Sequence, residues 1–568
     1  MSKALNIENI TYFYPRSNEP ALKDVSISID YGEFVVIAGP SGGGKSTLCR
    51  IAAGLIPQLY GGKLVGKVFV DGIDISKVDA RSLIDRVGVV LQNPENQIVN
   101  LVVEEELVFA LENLMYERND IETRVLEISN KLGIDYLRNR STFELSGGET
   151  QKVVLGSVLV VKPRILILDE PLAHLDPPAS QELLKLLYYL NKVEDKTIII
   201  VEHRLSEILR YAPRLVVLDR TVVADGDPRE VLKKLDNIDL VYGVEIPSTV
   251  KLSRFLNISE PTLSVEELVE KVKNRNLYID NAIDNYNDVY RCFEKIIEVE
   301  NLWYIYDNGV EALKEVYLDI CRGEFIAIIG GNGSGKTTLI KHFNGLLKPT
   351  KGRVKVLGMD TVEHSVAELS RFIGIAFQNP LHHFFKDTVY EEVLFTAKIM
   401  GVKNAEERTS TIIEKLGLKH LANRSPYEIS AGEQRRLAIA SVLVYDPEII
   451  VLDEPTAGID FRHKLELLDI LTDIWRKKKT IVLTTHDIEF LALTPVDKVI
   501  VLDKGRVVGV GNPKEVFYNL IPKDLETFVP QIVRFIKRVG LDRFSKVLNV
   551  EEFSKILKGS NYEWEEVF

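Results

Sequence analysis

The chain has 568 residues, enough for two to four domains, and its 71 basic and 83 acidic residues leave a formal net charge of −12. That balance excludes a global basic field able to grip nucleic acid and leaves only a local basic patch open. Three cysteines, Cys49, Cys292 and Cys321, lie far apart without metal-ligand spacing and are expected to be packed thiols of the kind a reducing compartment keeps. Residues 1–8 lack an apolar core of signal-peptide length and no run of about 18 apolar residues occurs, so work at a membrane would require a separate membrane subunit.

From the amino terminus, residues 5–10 read as a first strand running on to Tyr14. A second apolar strand, Phe34-Val35-Val36-Ile37-Ala38, meets the loop Gly39-Pro40-Ser41-Gly42-Gly43-Gly44, with a helix predicted from Lys45-Ser46 onward. Such a loop points successive backbone N–H groups at phosphate oxygens, while Lys45 neutralises β/γ charge and the Ser46 hydroxyl suits Mg2+. Downstream come Gln92 within Leu91-Gln92-Asn93-Pro94, the acid run Glu104-Glu105-Glu106, and Leu145-Ser146-Gly147-Gly148-Glu149. The buried-strand pattern Ile165-Leu166-Ile167-Leu168 then ends in Asp169-Glu170, and His203 follows another apolar strand.

The same landmarks then recur in order: Gly330-Gly331-Asn332-Gly333-Ser334-Gly335-Lys336-Thr337, Gln378, Ile429-Ser430-Ala431-Gly432-Glu433, Asp453-Glu454 and His486. The offset falls only from 291 (336 minus 45) to 283 (486 minus 203), so the chain is a tandem duplication with few insertions. One glycine-rich loop could be a turn without a ligand; two in register imply two nucleotides. Past His203, Glu245-Ile246-Pro247 and Val265-Glu266-Glu267-Leu268 are echoed by Phe528-Val529-Pro530 and Val550-Glu551-Glu552-Phe553. The expected organisation is a first nucleotide domain at 1–240, an appendage at 241–276, a linker at 277–293, a second nucleotide domain at 294–520 and an appendage at 521–568.

Paired acids ending a buried strand belong at the carboxyl edge of a parallel sheet, which makes the fold class α/β. Asp169 and Asp453 can hold a water on Mg2+. Glu170 and Glu454 point to the opposite face and can polarise the attacking water. The alternative is that these acids cap the loops before Pro171 and Pro455. A lone histidine at a strand end is usually structural, but recurrence favours a role for His203 and His486 at the γ-phosphate and the water-activating carboxylate.

Together the Ser-Gly segments, glycine-rich loops, glutamines, Asp-Glu pairs and histidines resemble the signature of ATP-binding-cassette ATPases, over almost the whole chain. The resemblance implies two tandem P-loop NTPase domains, each with a helical subdomain and a small carboxy-terminal appendage. It implies that Thr47 and Thr338 join the phosphate loops and that Tyr14 and Tyr306 stack on adenine; core packing is the alternative for the tyrosines. Ser146, Gly147 and Gly148, and likewise Ser430, Ala431 and Gly432, would face the nucleotide held by the other half. Ser46, Gln92 and Asp169, and Thr337, Gln378 and Asp453, would hold Mg2+, with Glu170, His203, Glu454 and His486 carrying the hydrolysis of ATP. Asp176 and Asp460 occupy the family's D-loop positions, whereas His174 has no role that can be derived. Two departures stand out: Glu149 and Glu433 replace the family's frequent glutamine, and Ala431 replaces a glycine. The expectation is two sites of unequal rate, with silent tolerance of Ala431 as the alternative.

The Gln-Asn-Pro segments at 92–94 and 378–380 and the appendages at Pro247 and Pro530 resemble the ATPases of energy-coupling-factor importers, which energise vitamin and transition-metal uptake. That resemblance implies pairing of the two halves beneath a transmembrane scaffold with a substrate-binding membrane subunit, on the cytoplasmic face of the cell membrane. Glu104–Glu106 and Glu391–Glu392 could receive basic residues of the scaffold, or simply favour a helix amino terminus. The rival reading is a soluble tandem protein acting on ribosomes; it would need a cysteine-rich amino terminus or a long charged linker, which this chain lacks. Only 101 residues (146 minus 45) and 94 residues (430 minus 336) separate lysine from signature serine, leaving no room for a coiled coil or zinc insert. No nucleic acid is expected, and the transported substrate is not legible.

Overall fold

A computed structural model describes residues 3–173, 175–235, 238–273, 292–542 and 546–556. His174, most of the expected linker and the end of the second appendage lie outside the described residues. The chain divides into two compact units, Met1–Pro247 with Asp460–Arg462, and Ser248–Ile459 with His463–Phe568.

The first unit contains strands β1 (Lys3–Phe13), β2 (Leu22–Asp30), β3 (Phe34–Ala38), β4 (Lys63–Val70), β5 (Ile73–Asp74), β6 (Val87–Val90), β7 (Ile165–Asp169), β8 (Thr197–Val201), β9 (Arg214–Asp219) and β10 (Thr221–Gly226). They form an antiparallel sheet in the order β2-β1-β4-β5 and a six-stranded sheet in the order β10-β9-β3-β8-β7-β6. The six-stranded sheet is parallel apart from the β9–β10 pair. β3, β7 and β8 are buried at every residue, as strands covered on both faces must be, so their sequences run apolar without alternation. Ile7 and Ile10 of β1, Val35 and Ile37 of β3, and Leu48 and Ile51 of the helix Lys45–Ala52 share one core. The helix that opens after the glycine-rich loop is thus held within the apolar core beside the sheet that delivers it. A separate group of helices, Val103–Asn113, Arg118–Leu132 and Gly147–Leu159, packs closely enough that a Cβ on Gly156 would stand 2.9 Å from Leu107 and 3.1 Å from Leu132.

The second unit repeats this plan with β11 (Lys295–Ile305), β12 (Glu311–Cys321), β13 (Phe325–Ile329), β14 (Lys351–Val356), β15 (Met359–Asp360), β16 (Ile373–Ala376), β17 (Ile449–Asp453), β18 (Thr480–Thr484), β19 (Lys498–Asp503) and β20 (Arg506–Gly511). Its sheets run β12-β11-β14-β15 and β16-β17-β18-β13-β19-β20, the same orders as in the first unit. This unit also contains the helices Ser248–Phe255 and Val265–Val272, which precede the linker in sequence. Their Leu252, Val265 and Leu268 share a core with Val533, Phe535 and Phe553 from the carboxy-terminal end, and Phe255 and Phe535 each meet Phe553 edge-on at 6.2 Å. Arg538 pairs with Glu266 across the same junction.

The cysteines correct one expectation. Cys292 and Cys321 are joined by a disulfide, and Cys49 alone is a buried thiol. Spacing in sequence hid the pair because β12 runs antiparallel to β11 and returns its last residue to the start of that strand. Among the described residues no helix is long and apolar enough to cross a membrane.

Candidate functional site

Parallel pairing decides which motifs meet. β3 pairs with β8, β8 with β7 and β7 with β6, with Ile37 opposite Val201 and Val201 opposite Asp169. The glycine-rich loop, His203, the Asp169-Glu170 pair and Gln92 therefore leave neighbouring strands at one carboxyl edge, where open α/β sheets bind ligands. β13, β18, β17 and β16 do the same for their copies.

Within the first loop, Gly39 sits at φ +151° and a Cβ there would stand 2.0 Å from the Leu218 carbonyl oxygen. Gly44, at φ +91°, has no room beside Ala21 and Leu22. Gly330 and Gly335 are constrained alike, by the Leu502 and Ala312 carbonyls at 2.2 and 2.7 Å. Lys45 is nearly buried and donates to the carbonyls of Gly39 at 2.9 Å and Pro40 at 2.8 Å; Lys336 repeats this with Gly330 and Gly331 at 2.8 and 3.1 Å. Burial pushes the Lys45 ammonium down, against the opposing charges of Glu170 and Asp169. The Ser334 hydroxyl is buried in its loop without a partner.

Burial, then the charge of Glu170, pushes Asp169 up to about 6, while the Ser46 hydroxyl donates to it. Its Oδ1 is buried and has no hydrogen-bond partner. Thr337 Oγ1 donates to Asp453 at 2.8 Å, and Thr484 holds the other oxygen. Glu170 and Glu454 both adopt positive φ, +50° and +49°, a conformation that costs a non-glycine residue about 1 kcal/mol or more. Gln92 Nε2 donates to Glu170 at 2.8 Å and His203 Nε2 lies 3.2 Å from its other oxygen. Burial would raise both carboxyls. His203 and Lys45 nevertheless hold Glu170 below the ordinary range, and His486 and Lys336 bring Glu454 to about 2.

Ser146 caps the helix Gly147–Leu159, and Glu149 closes a reciprocal capping box, accepting from the Ser146 N–H and hydroxyl at 2.8 Å each. Ser430 and Glu433 repeat it at 2.7 and 2.8 Å, which gives the glutamates a structural reason. Gly147, the counterpart of Ala431, has open space where a Cβ would stand, so its fold accommodates the extra methyl. Tyr14 and Tyr306 each place their hydroxyl 3.0 Å from Thr47 or Thr338, and Tyr12 and Tyr304 support them edge-on at 4.9 Å.

Three residues take bracing roles that the sequence reading missed, although it named two of them as candidate docking or helix-terminal acids. Glu106 accepts from Val99 N, Asn100 N and Asn100 Nδ2 at 3.0, 2.9 and 3.1 Å, and Glu392 accepts from Phe385 N and Lys386 N at 2.8 and 2.9 Å. They are internal braces rather than solvated charges. Arg435 is the third; the only signal for it was a cation set in a helix otherwise rich in apolar residues.

The ABC transporter family profile matches residues 22–173 and 313–457, one stretch in each copy. A protein of Methanosarcina mazei named "Putative ABC transporter ATP-binding protein" is 37% identical over 538 residues, 92% of this chain and 91% of that one. This chain belongs to the ABC transporter family. A similarly named protein of Caldanaerobacter subterraneus subsp. tengcongensis is 34% identical, over 95% of this ABC protein and 96% of its own length. The solved structure of CbiO1 from Clostridium perfringens, part of the ABC transporter complex CbiONQ, is 37% identical over 43% of this chain and 99% of that chain, with a TM-score of 0.37.

This ABC protein is accordingly an ATPase that binds ATP at its two cassettes. Its residues fit a divalent cation beside the phosphates: a hydroxyl paired with a buried carboxylate in each cassette, with the unsatisfied Asp169 Oδ1 in the first. Glu170 and Glu454, ionised and aimed by histidine, are equipped to accept a proton from an attacking water.

Proposed function

We propose that this ABC ATPase is the motor subunit of an energy-coupling-factor type importer, lying on the cytoplasmic face of the membrane beneath a scaffold and a substrate-binding membrane subunit. The observation that carries this reading is an apolar surface following each Q-loop, the Gln-Asn-Pro segment at 92–94 or 378–380. Val99, Leu101 and Phe143 are 66%, 62% and 83% exposed, on two segments joined by the Thr142 N–H donating to Leu101 at 2.9 Å. In the second cassette Phe385 and Tyr427 are 74% and 60% exposed, with the Tyr427 hydroxyl donating to Phe384 at 3.0 Å. In the first cassette the glutamine before that surface donates directly to Glu170, so a partner seated there could reach the hydrolytic carboxylate.

In this reading Ser46, Asp169 and Gln92, and Thr337, Asp453 and Gln378, would hold Mg2+, which would supply charge neutralisation at the phosphate oxygens. Lys45 and Lys336 exchange loop carbonyls for phosphate oxygens. The two halves pair on ATP, each presenting its signature serine to the other's nucleotide; sequence duplication and family resemblance support this step.

An affinity pull-down from solubilised native membranes, with a Glu170→Gln/Glu454→Gln chain as bait, tests the proposal. It should recover a polytopic scaffold together with a small membrane binding protein. Recovery of ribosomal subunits without membrane proteins would establish the soluble alternative instead.

A further inference from the structure

Arg435 and Gln151 each stand five residues after their signature serine (435 minus 430; 151 minus 146), and both are buried, at 6% and 5% exposure. Arg435 Nη2 donates to the Gln378 carbonyl at 2.7 Å. Its Nη1 donates to the Glu454 carbonyl and, at 3.5 Å, to that of Asp453. One planar group therefore ties the Q-loop backbone to the end of β17, at the residue held in a positive-φ conformation. Gln151 makes no such tie, for its Nε2 has no partner. The first Q-loop is braced sideways on its own strand, where Gln97 accepts from Leu91 N at 2.6 Å and donates to the Val89 carbonyl at 2.9 Å. At the matching place in the second cassette, His383 stacks on Phe377 at 5.2 Å.

A buried guanidinium is costly unless its donors meet acceptors, and both Nη groups of Arg435 meet backbone carbonyls of two functional segments, while its Nε is buried without a partner. Burial brings its pKa down to about 10, opposed by Glu454 and Asp453, so the cation persists at neutral pH behind both carboxylates. A neutral amide of Gln151's length lacks the fork that bridges the two segments.

We propose that Arg435 is a positioning residue of the second ATP site, locking the Q-loop backbone to the peptide of Glu454 so that movement of one is transmitted to the other. The first site, with Gln151, lacks this lock. The inference rests on Glu454 being the water-activating carboxylate of the proposed function.

Hydrogen exchange and steady-state ATP turnover of the full chain test it together. Arg435→Gln should speed amide exchange around 377–380 and reproduce most of the fall in kcat caused by Glu454→Gln, with KM for ATP changed less than about twofold. Arg435→Lys should recover part of both. Unchanged exchange around Gln378 in Arg435→Gln overturns the lock. Wild-type turnover in Glu454→Gln would instead overturn the carboxylate assignment, leaving exchange to decide the lock. Should Arg435→Gln fail to fold, the wild-type chain still decides: amides around Gln378 exchange more slowly than those around Gln92, and equal rates refute the proposal.

Discussion

His486 Nδ1 lies 2.9 Å from Glu454 Oε1 while the N–H of the same residue donates to Oε2 at 3.1 Å, so one histidine addresses both oxygens of the carboxylate. In the first cassette the work is divided, His203 taking one oxygen of Glu170 and Gln92 the other. The two carboxylates are thus aimed by different sets of groups. Gln92→Ala should release Glu170 and lower turnover, whereas Gln378→Ala should leave the Glu454–His486 pair in place. Replacing Glu170 and Glu454 together by glutamine should cost about 100-fold or more in kcat with ATP binding retained. Equal residual rates in the two single variants would show that the different bracing has no kinetic consequence.

Glycine identity in the phosphate loop has two separable causes. Gly39→Ala would press a methyl into the Leu218 carbonyl, whereas Gly42, at φ +77°, has nothing within 4 Å of the place where a Cβ would stand. Gly39→Ala should abolish ATP retention and lower the melting temperature of its unit. Gly42→Ala should cost only about 1 kcal/mol of backbone strain, read by thermal denaturation.

His342 is fully buried behind Tyr304, with Nδ1 on the Thr338 carbonyl at 2.8 Å and Nε2 without a partner. Burial brings its pKa down from 6.5 to about 4. The unfolded chain then binds the extra proton first, so stability falls as pH drops from about 6.5 toward 4, by about 2 kcal/mol at pH 5. The first copy has Ile51 at this place (342 minus 291). His342→Ile should remove that part of the acid loss in denaturant titrations at pH 8 and pH 5; an unchanged pH dependence would assign the loss to other groups.

The acid runs separate into buried braces and exposed charges. Glu106→Ala removes the acceptor of three part-buried donors and should destabilise by about 2 kcal/mol, measured by denaturant unfolding. Glu105 and Glu391 are both exposed, so Glu105→Lys should leave the melting temperature nearly unchanged, whereas Glu391→Lys gives up the bond from Thr388 Oγ1 at 3.0 Å and should lower stability by about 1 kcal/mol or less. If these acids receive a basic scaffold, the double variant should lose co-purification with it at low salt.

Peptide mapping without reductant should find Cys292 linked to Cys321, leaving Cys49 as the thiol that reacts after denaturation. The bridge spans 29 residues of sequence, and closing a loop of that length is worth about 3–4 kcal/mol of unfolded-chain entropy. Cys321→Ser should lower the denaturant midpoint accordingly, and labelling of three thiols after denaturation without reductant would remove the bridge.

The sequence by itself determined the duplication and the two nucleotide-binding cassettes. Phosphate binding demands backbone N–H groups, a lysine and a hydroxyl within one short loop, and residues so closely spaced leave a readable pattern. The strands bearing the Asp-Glu pairs were equally legible, because burial on both faces forces an unbroken apolar run. Tertiary structure alone decided what braces each site. Arg435 meets Gln378 across 57 residues and Gln92 meets Glu170 across 78, partners set by strand order rather than by proximity in the chain. It also decided that the helices from Ser248 onward share a core with the carboxy-terminal helices, and that two distant cysteines meet. Burial rewards apolar pattern wherever it falls, but hydrogen bonds and disulfides need geometry, which exists only once the sheets have formed.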